Sequence, residues 1–184
     1  NSYSIEKRYI RKDGKHILVK LTVSLVRDEK GAPQYTIGII EDISEKRKIE
    51  EALGVSENKY RSLFETANDA IMVLSEGLFI DCNKKTEALF ACTKEEFIGS
   101  SLADFSPKLQ PDGSASKESA AKKISLAITE GPQFFEWRHA RKDGSTFLAE
   151  VNLNKFEANG KSYLQAIVRD IDEKKKAEEK IIES

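Results

Sequence analysis

The stretch EWRHARKDGSTFLAEV, residues 136–151, indicates how this chain folds. Apolar and polar residues alternate on both sides of its Lys-Asp-Gly, and that pattern predicts two antiparallel strands joined by a tight turn. The turn motif Arg141–Gly144 also occurs at Arg11–Gly14, an offset of 130 residues. Because a repeat within one chain predicts the same local structure twice, the two segments have to be interpreted together.

The repeat continues after the turn. A second block, offset by 128, runs from Tyr35 to Glu51 in the first copy and from Tyr163 to Glu179 in the second. Each copy therefore predicts a three-stranded antiparallel meander with one apolar face. The predicted strands cover residues 6–11, 17–26 and 35–41 in the first copy and 134–141, 147–154 and 163–169 in the second. Three strands alone are marginally stable, so each apolar face needs a cover.

The segment ahead of the second copy supplies such a cover. Its pattern predicts two short strands, two short helices and one longer helix, at residues 70–75, 78–81, 83–91, 93–98 and 117–129. Thr93 and Glu96 have the spacing of a capping box at a helix N-terminus. The predicted fold class is α+β: a five-stranded antiparallel sheet with helices on one face, preceded by a three-stranded half repeat and a linker helix.

Four parts follow from this order. Residues 1–43 form the C-terminal half of a first domain, 44–65 a linker helix, 66–171 a complete second domain, and 172–184 the start of an exit helix. The first copy has no counterpart of residues 56–137 ahead of it, so its apolar side chains are expected to lack that cover. Either an earlier segment or a second copy of the chain would then cover them.

The linker helix carries a short apolar seam. Ile49, Leu53, Tyr60 and Leu63 follow a heptad spacing in which Ser56 is the one polar residue. This spacing favours a parallel homodimer through the linker helices. A solvated amphipathic connector helix explains these few turns equally well. Gly54 weakens the helix and is expected to mark the joint to the second domain.

The composition limits the classes of function. With 39% apolar residues, 33% charged residues and a net charge of −1, the chain has the character of a globular protein without a general attraction to nucleic acid. No apolar run reaches the roughly 20 residues of a membrane span, so we expect no direct membrane contact and a cytoplasmic location, which leaves a membrane-anchored parent protein open. Cys82 and Cys92 are expected to be reduced thiols rather than a disulfide.

Four segments together resemble a known family. Residues 57–69 (ENKYRSLFETAND), 81–99, 136–151 and 166–179 resemble the PAS domain of bacterial and archaeal sensor proteins, the last two its PAC motif. The resemblance implies a sensory module that binds a small ligand or partner and signals to a covalently attached output domain, such as the histidine kinase of a two-component system. The alternative is a dimerisation or spacer module with a filled core. No pattern of catalytic or metal-binding residues is present, so an enzyme is not expected.

The resemblance also bears on two cofactors that members of this family bind, flavin and haem. Flavin-adduct relatives carry Gly-Arg-Asn-Cys where this chain has Gly99 to Leu102, so the thiol is missing. Haem-binding relatives typically place a histidine on the long helix, and residues 117–129 contain none. Both cofactors are disfavoured and the ligand is unknown.

The resembled fold implies a small apolar cavity between sheet and helices. The candidate lining residues are Ile71, Val73, Leu89, Leu102, Phe105, Ile124, Ile128, His139, Ala149, Val151, Ala166 and Val168. Two of these are alanines on the inner strand face, where a small side chain leaves space. His139 shares a strand face with Trp137 and is either a polar pocket contact or a partly exposed histidine without a special role. A fully packed core without ligand is the alternative.

The junction of the last strand with the exit helix is the second candidate site. In the resembled family the aspartate at this position, here Asp170, pairs with a basic residue of the neighbouring strands. Arg138 is the candidate partner, and Arg8 is the matching candidate for Asp42 in the first copy. Asp170 could instead, or also, cap the exit helix. A shift of the sheet would then change the helix that leaves it.

Overall fold

The computed structural model describes residues 2–182, with side chains described for residues 2–178. The chain forms two compact units, Asn1–Tyr60 and Arg61–Ser184. The repeat residue Glu179 lies outside the residues whose side chains are described. Within residues 2–182, no helix has both the length and the apolarity that a membrane span requires.

The first unit is a three-stranded antiparallel sheet followed by a helix. Its elements are β1 (Ser2–Ile10), β2 (His16–Arg27), β3 (Pro33–Asp42) and α1 (Ser44–Glu65). The strands lie side by side in chain order. The helix α1 is continuous through Gly54, and the division between the units falls after Tyr60 rather than at the joint predicted at Gly54.

The second unit is a five-stranded antiparallel sheet with helices against one face. Its elements are β4 (Ala70–Ser75), β5 (Leu78–Cys82), α2 (Lys84–Phe90), α3 (Lys94–Phe97), a 3₁₀ turn (Leu102–Phe105), α4 (Ser116–Thr129), β6 (Gln133–Ala140), β7 (Thr146–Ala158), β8 (Lys161–Asp170) and α5 (Asp172–Ile182). The sheet order is β5-β4-β8-β7-β6. The predicted α+β class is confirmed, including the capping box of Thr93 and Glu96.

Both copies of the Arg-Lys-Asp-Gly motif form the same turn. Gly14 and Gly144 have φ values of 80° and 84°, a conformation that side chains with a Cβ rarely adopt. The side chain of the aspartate before each glycine accepts a hydrogen bond from the backbone N–H of the residue after that glycine. The distances are 3.0 Å for Lys15 and 2.8 Å for Ser145. The motif therefore fixes the hairpin register locally, by its own residues.

The core of the second unit lies between the sheet and its helices. Its fully buried large side chains include Phe79, Phe90, Phe97 and Phe147, from four different elements. Strand β4 contributes Ala70, Met72 and Leu74 to this core. Ile71 and Val73 alternate with them and lie on the opposite sheet face, so their predicted place in the inner cavity is wrong.

Buried Asn83 fixes α2 against β4. Its amide donates to the carbonyl oxygens of Phe64 and Asp69, at 3.0 and 3.1 Å. Its carbonyl oxygen accepts the backbone N–H of Ile71 at 3.0 Å and of Thr86 at 3.1 Å, the latter as the cap of α2. A buried amide with all these partners costs little to bury and holds one arrangement. The position of α2 relative to β4 is therefore fixed.

Candidate functional site

The centre of the predicted cavity is filled by side chains. Phe90 lies within 5.1 to 5.5 Å of four other rings, measured between centroids: Phe97, Phe105, His139 and Phe147. Half of the twelve candidate lining residues are buried in this packed core or against it rather than at a cavity: Leu89, Phe105, Ala149, Val151, Ala166 and Val168. The two alanines of β7 and β8 are themselves part of this packed core.

His139 belongs to this aromatic cluster. It is fully buried, so the expectation of a partly exposed histidine is wrong. Its ring stacks on Phe147, and its Nδ1 lies 3.3 Å from the carbonyl oxygen of Phe105. Because that oxygen only accepts, Nδ1 carries the proton, and Nε2 has no hydrogen-bond partner among the described residues. Burial lowers the pKa of His139 to about 4, so the ring is neutral at pH 7.

Open space remains at one end of the sheet, beside α4. A groove of about 510 Å³ has walls from α4, the 3₁₀ turn, the β4–β5 turn and the β7–β8 hairpin. Three candidate residues do line it: Leu102, Ile124 and Ile128. The lining residues at the hairpin ends and turns, such as Glu76 and Ser162, were not predictable, because these segments carry no periodic apolar signal.

The junction before the exit helix contains an ion pair. Asp170 pairs with Arg141, whose guanidinium Nη2 lies 3.3 Å from the aspartate Oδ2. The predicted partner Arg138 is wrong: its backbone bonds Gln110, and Asp170 receives its cation from the turn, three residues later. Arg141 also donates from Nε to the carbonyl oxygen of Leu89, at 2.9 Å, and its guanidinium lies 4.4 Å from the Phe147 ring centre.

In the first copy, too, the aspartate pairs with an arginine of the turn and not with the predicted arginine of the strand. Arg11, from the matching turn, donates to Asp42 at 2.9 Å, and the predicted Arg8 is not the partner. The side chain of Arg11 is 54% exposed, against 25% for Arg141. Within the described residues, Arg11 contacts no helix end that corresponds to Leu89.

Asp170 also anchors the start of α5. Its Oδ1 accepts the backbone N–H of Asp172 at 2.9 Å, and Asp172 in turn accepts the N–H of Leu148 at 3.0 Å. Ile171 between them is buried, and its N–H donates to the carbonyl of Leu148 at 3.0 Å. Asp170 thus combines the ion pair with a hydrogen bond to the first residue of α5, which lies one residue before the contact of a regular N-cap. The arrangement fastens the first turn of α5 to β7.

The turn after β6 makes two further contacts, one with the C-terminal end of α2 and one with α3. Lys142 donates its backbone N–H to the carbonyl of Phe90 at 3.1 Å, and its ammonium pairs with Glu96 at the start of α3. Together with Arg141, this turn meets the last carbonyls of α2, which have no partner inside the helix. One short turn therefore contacts α2, α3 and the exit junction.

The two cysteines are both free thiols. Burial raises the pKa of the Cys82 thiol to about 12 and also raises that of Cys92. Thiols with raised pKa values react slowly, because the thiolate is the nucleophile. Among the residues whose placement is described, no group of three or more His, Cys, Asp or Glu side chains is arranged to hold a metal ion.

Comparison with known proteins gives consistent results. A family model described as PAS domain matches residues 1–45 and 68–173. The sensor protein FixL of Bradyrhizobium diazoefficiens is 26% identical over 170 residues, which cover 90% of this chain and 33% of that protein. Sporulation kinase A of Bacillus subtilis is 26% identical over 183 residues, 98% of this chain and 29% of the kinase. The chain therefore spans about a third of the length of these relatives.

A solved structure shares the architecture of the second unit. The PAS domain of an HTR-like protein from Haloarcula marismortui superposes with a TM-score of 0.59 at 28% sequence identity. The match covers 68% of this chain and 99% of that domain. The likeness extends over one complete domain of that structure.

Proposed function

The chain belongs to the PAS domain family, and we propose that it is a cytosolic sensory module of a longer signalling protein. In this role it relays a change in its second unit through α5 to an attached output domain, such as a histidine kinase. The family and the sensor kinases among its relatives support this class of function. The module itself needs no catalytic residue, because its output is a conformational change.

The position of Arg141 is the observation that carries this proposal. One guanidinium holds the C-terminal carbonyl of α2, at Leu89, and the carboxylate of Asp170 at the exit junction. A displacement of α2 therefore changes the geometry of the ion pair, and Asp170 in turn holds the first N–H of α5. Chains of direct contacts between packed elements are one way in which energetic coupling is carried between distant sites.

The ligand side of the relay has a second connection to β6. Trp137 donates its indole N–H to Ser106 at 2.9 Å, and the hydroxyl of Ser106 donates to the carbonyl of Leu102 in the 3₁₀ turn at 2.7 Å. The 3₁₀ turn forms one wall of the groove, and β6 leads directly into the turn that holds Arg141. A ligand that moved this wall would therefore act on the strand before the junction.

A parallel homodimer through α1 is part of the proposal. The four apolar seam residues are 58 to 65% exposed: Ile49, Leu53, Tyr60 and Leu63. Side chains with this spacing pack into a matching helix as knobs into holes and would lose their contact with water. Sedimentation equilibrium tests it: the Leu53→Lys variant should be monomeric at concentrations where the unmodified chain is dimeric. An unchanged mass would contradict the seam.

The filled aromatic core favours a second candidate, a non-sensing assembly module. A core without space needs no ligand, and the same helices could then serve to space and pair neighbouring domains. Native and denaturing mass spectra of freshly purified chain distinguish the two. Extra mass that is lost on denaturation supports the sensor. Bare chain, combined with no effect of added ligand on α5, supports the assembly module.

The relay is tested with Asp170→Ala and its control Arg138→Ala. Asp170→Ala should raise amide hydrogen exchange in residues 172–178 by about tenfold, because each lost junction contact stabilises the local closed state by roughly 1 kcal/mol or more. The melting temperature of the second unit should change little. Arg138→Ala should leave exchange in α5 unchanged. Equal exchange in Asp170→Ala and the unmodified chain would overturn the relay.

A further inference from the structure

The groove beside α4 exists because small residues line it. Gly77, Ala103, Ala120 and Ala121 face the space from three elements, and none has a side chain that could fill it. The volume of about 510 Å³ lies in the range of about 300–1,000 Å³ that is usual for small-molecule sites. The space is therefore large enough for a ligand of moderate size.

The interior of the groove is apolar along its length. Apolar side chains come from α4, the 3₁₀ turn and the inner sheet face: Ile124, Ile128, Leu102, Leu74 and Leu164. The lining face of α4 runs from Lys117 to Ile128, 12 residues that span about 16 Å of helix. An elongated apolar chain placed here would remove apolar surface of both partners from water.

The charged groups of the groove favour an anion. Lys117 and Lys155 line it, and Glu76 is the one acidic lining residue. The Lys155 side chain is 34% exposed, with its Nζ 3.3 Å from the carboxylate of Glu157, which is itself 67% exposed. A lysine in this position covers apolar surface with its stem and presents its ammonium at the rim. Because an exposed ion pair contributes little stability, another carboxylate can readily replace that of Glu157 as the partner of the lysine.

We propose that this groove binds an amphipathic carboxylate, with its apolar chain along α4 and its carboxylate at Lys155. Lys117 adds a second positive charge to the same lining. The proposal rests on the sensory role proposed above and gives the chemical class of the signal. Binding would replace the Lys155–Glu157 contact by a contact to the ligand, and the chain would occupy the space between α4 and the sheet.

The first test compares octanoate with 1-octanol, which has the same chain length without the charge. In calorimetric titration of the full chain, octanoate should bind at one site per chain and about fivefold more tightly than octanol. Lys155→Gln should reduce octanoate affinity to the level of octanol and leave octanol affinity unchanged. No binding of octanoate, or octanoate affinity that is insensitive to Lys155→Gln, overturns the proposal.

A pair of neighbouring α4 variants tests the location. Ala121→Phe places a ring in the groove and should weaken both ligands at least tenfold. Lys122→Phe adds the same ring one residue away, outside the lining, and should leave both affinities unchanged. Circular dichroism verifies that each variant folds, and equal effects of the two variants would overturn the assignment.

The two proposals fail separately. The exchange test of Asp170→Ala is made without ligand, so it reports on the junction alone. If octanoate does not bind but the exchange test succeeds, the groove assignment is wrong and the relay stands. If octanoate binds as expected but α5 exchange is the same in Asp170→Ala as in the unmodified chain, the relay is wrong and the binding site stands.

Discussion

The two meanders of this chain have the same junction but different surroundings. In each, an arginine of the Arg-Lys-Asp-Gly turn pairs with the aspartate that ends the third strand, Asp42 or Asp170. The apolar faces differ: Ile40 is 56% exposed, whereas its counterpart Val168 is 1% exposed. The turn and the junction are therefore encoded within about 40 residues, whereas the core depends on residues 66–131.

The largest expected difference between the two units is the loss of stability when an apolar side chain is removed from the strand after the turn. Phe147→Ala should lower the free energy of unfolding of the second unit by about 3–5 kcal/mol, because it empties a fully buried aromatic site. Ile17→Ala, the matching change in the first unit, should cost much less, since Ile17 is only partly buried. Hydrogen exchange resolved by residue measures both units in one sample. Equal losses would show that the first sheet has a core of its own.

The second difference is in pH dependence. His139 and its counterpart Tyr9 occupy the same position in the two hairpins. Because burial lowers the folded-state pKa of His139 from 6.5 to about 4, the unfolded chain takes up its proton first as the pH falls. The contribution of the neutral ring to the free energy of unfolding is complete above about pH 6.5. It falls by roughly 3 kcal/mol between pH 6.5 and pH 4.

The measurement compares urea unfolding of the second unit at pH 7 and pH 4.5. His139→Phe should remove this part of the fall in stability, and His16→Gln, a change of an exposed histidine, should retain it. The same pH dependence in His139→Phe and the unmodified chain would contradict the buried neutral ring.

The third difference separates the two arginines. Arg141→Ala should destabilise the second unit by about 2 kcal/mol, since it removes a charged hydrogen bond to Leu89, the contact with Phe147 and the pair with Asp170. Arg11→Ala removes an exposed pair and should have a much smaller effect. Thermal unfolding of both variants measures the difference. Equal effects would mean that the contact to α2 contributes nothing.

The smallest expected difference is between the two helix starts. Ser44 accepts the N–H of Leu18 at 2.8 Å, and Asp172 accepts the N–H of Leu148 at 3.0 Å. Ser44→Ala and Asp172→Ala should each cost about 1 kcal/mol and agree within about 0.5 kcal/mol. Exchange rates of the Leu18 and Leu148 amides provide the measurement. A clear inequality would show that the junction is not a purely local motif.

The sequence predicted the strands well because period-two alternation survives wherever one sheet face is covered. It failed on the side-chain direction of β4, where Ala70 to Leu74 are apolar at every position. This strand lies between β5 and β8, and both of its faces are largely buried, so the pattern contains no alternation to interpret. Its register is set by pairing with β8, which sequence alone does not show.

The wrong partner of Asp170 has a different cause. Arg138 is the basic residue of a neighbouring strand, but the cation comes from the turn, where Arg141 reaches past the strand end. The repeat could not separate the two candidates, because Arg8 and Arg138 recur at the same offset as Arg11 and Arg141. The burial of His139 was not predictable in the same way, since it depends on the Phe90 and Phe105 rings from distant segments.

Trp137 is the single tryptophan of the chain, and it lies in the second unit with 3% of its surface exposed. Its indole N–H is bonded to Ser106, next to the 3₁₀ turn that walls the groove. The intrinsic fluorescence of the protein at 295 nm excitation therefore originates from one known place. A red shift of the emission therefore reports opening of the second unit without any label. The first sheet contains no tryptophan and does not contribute to this signal.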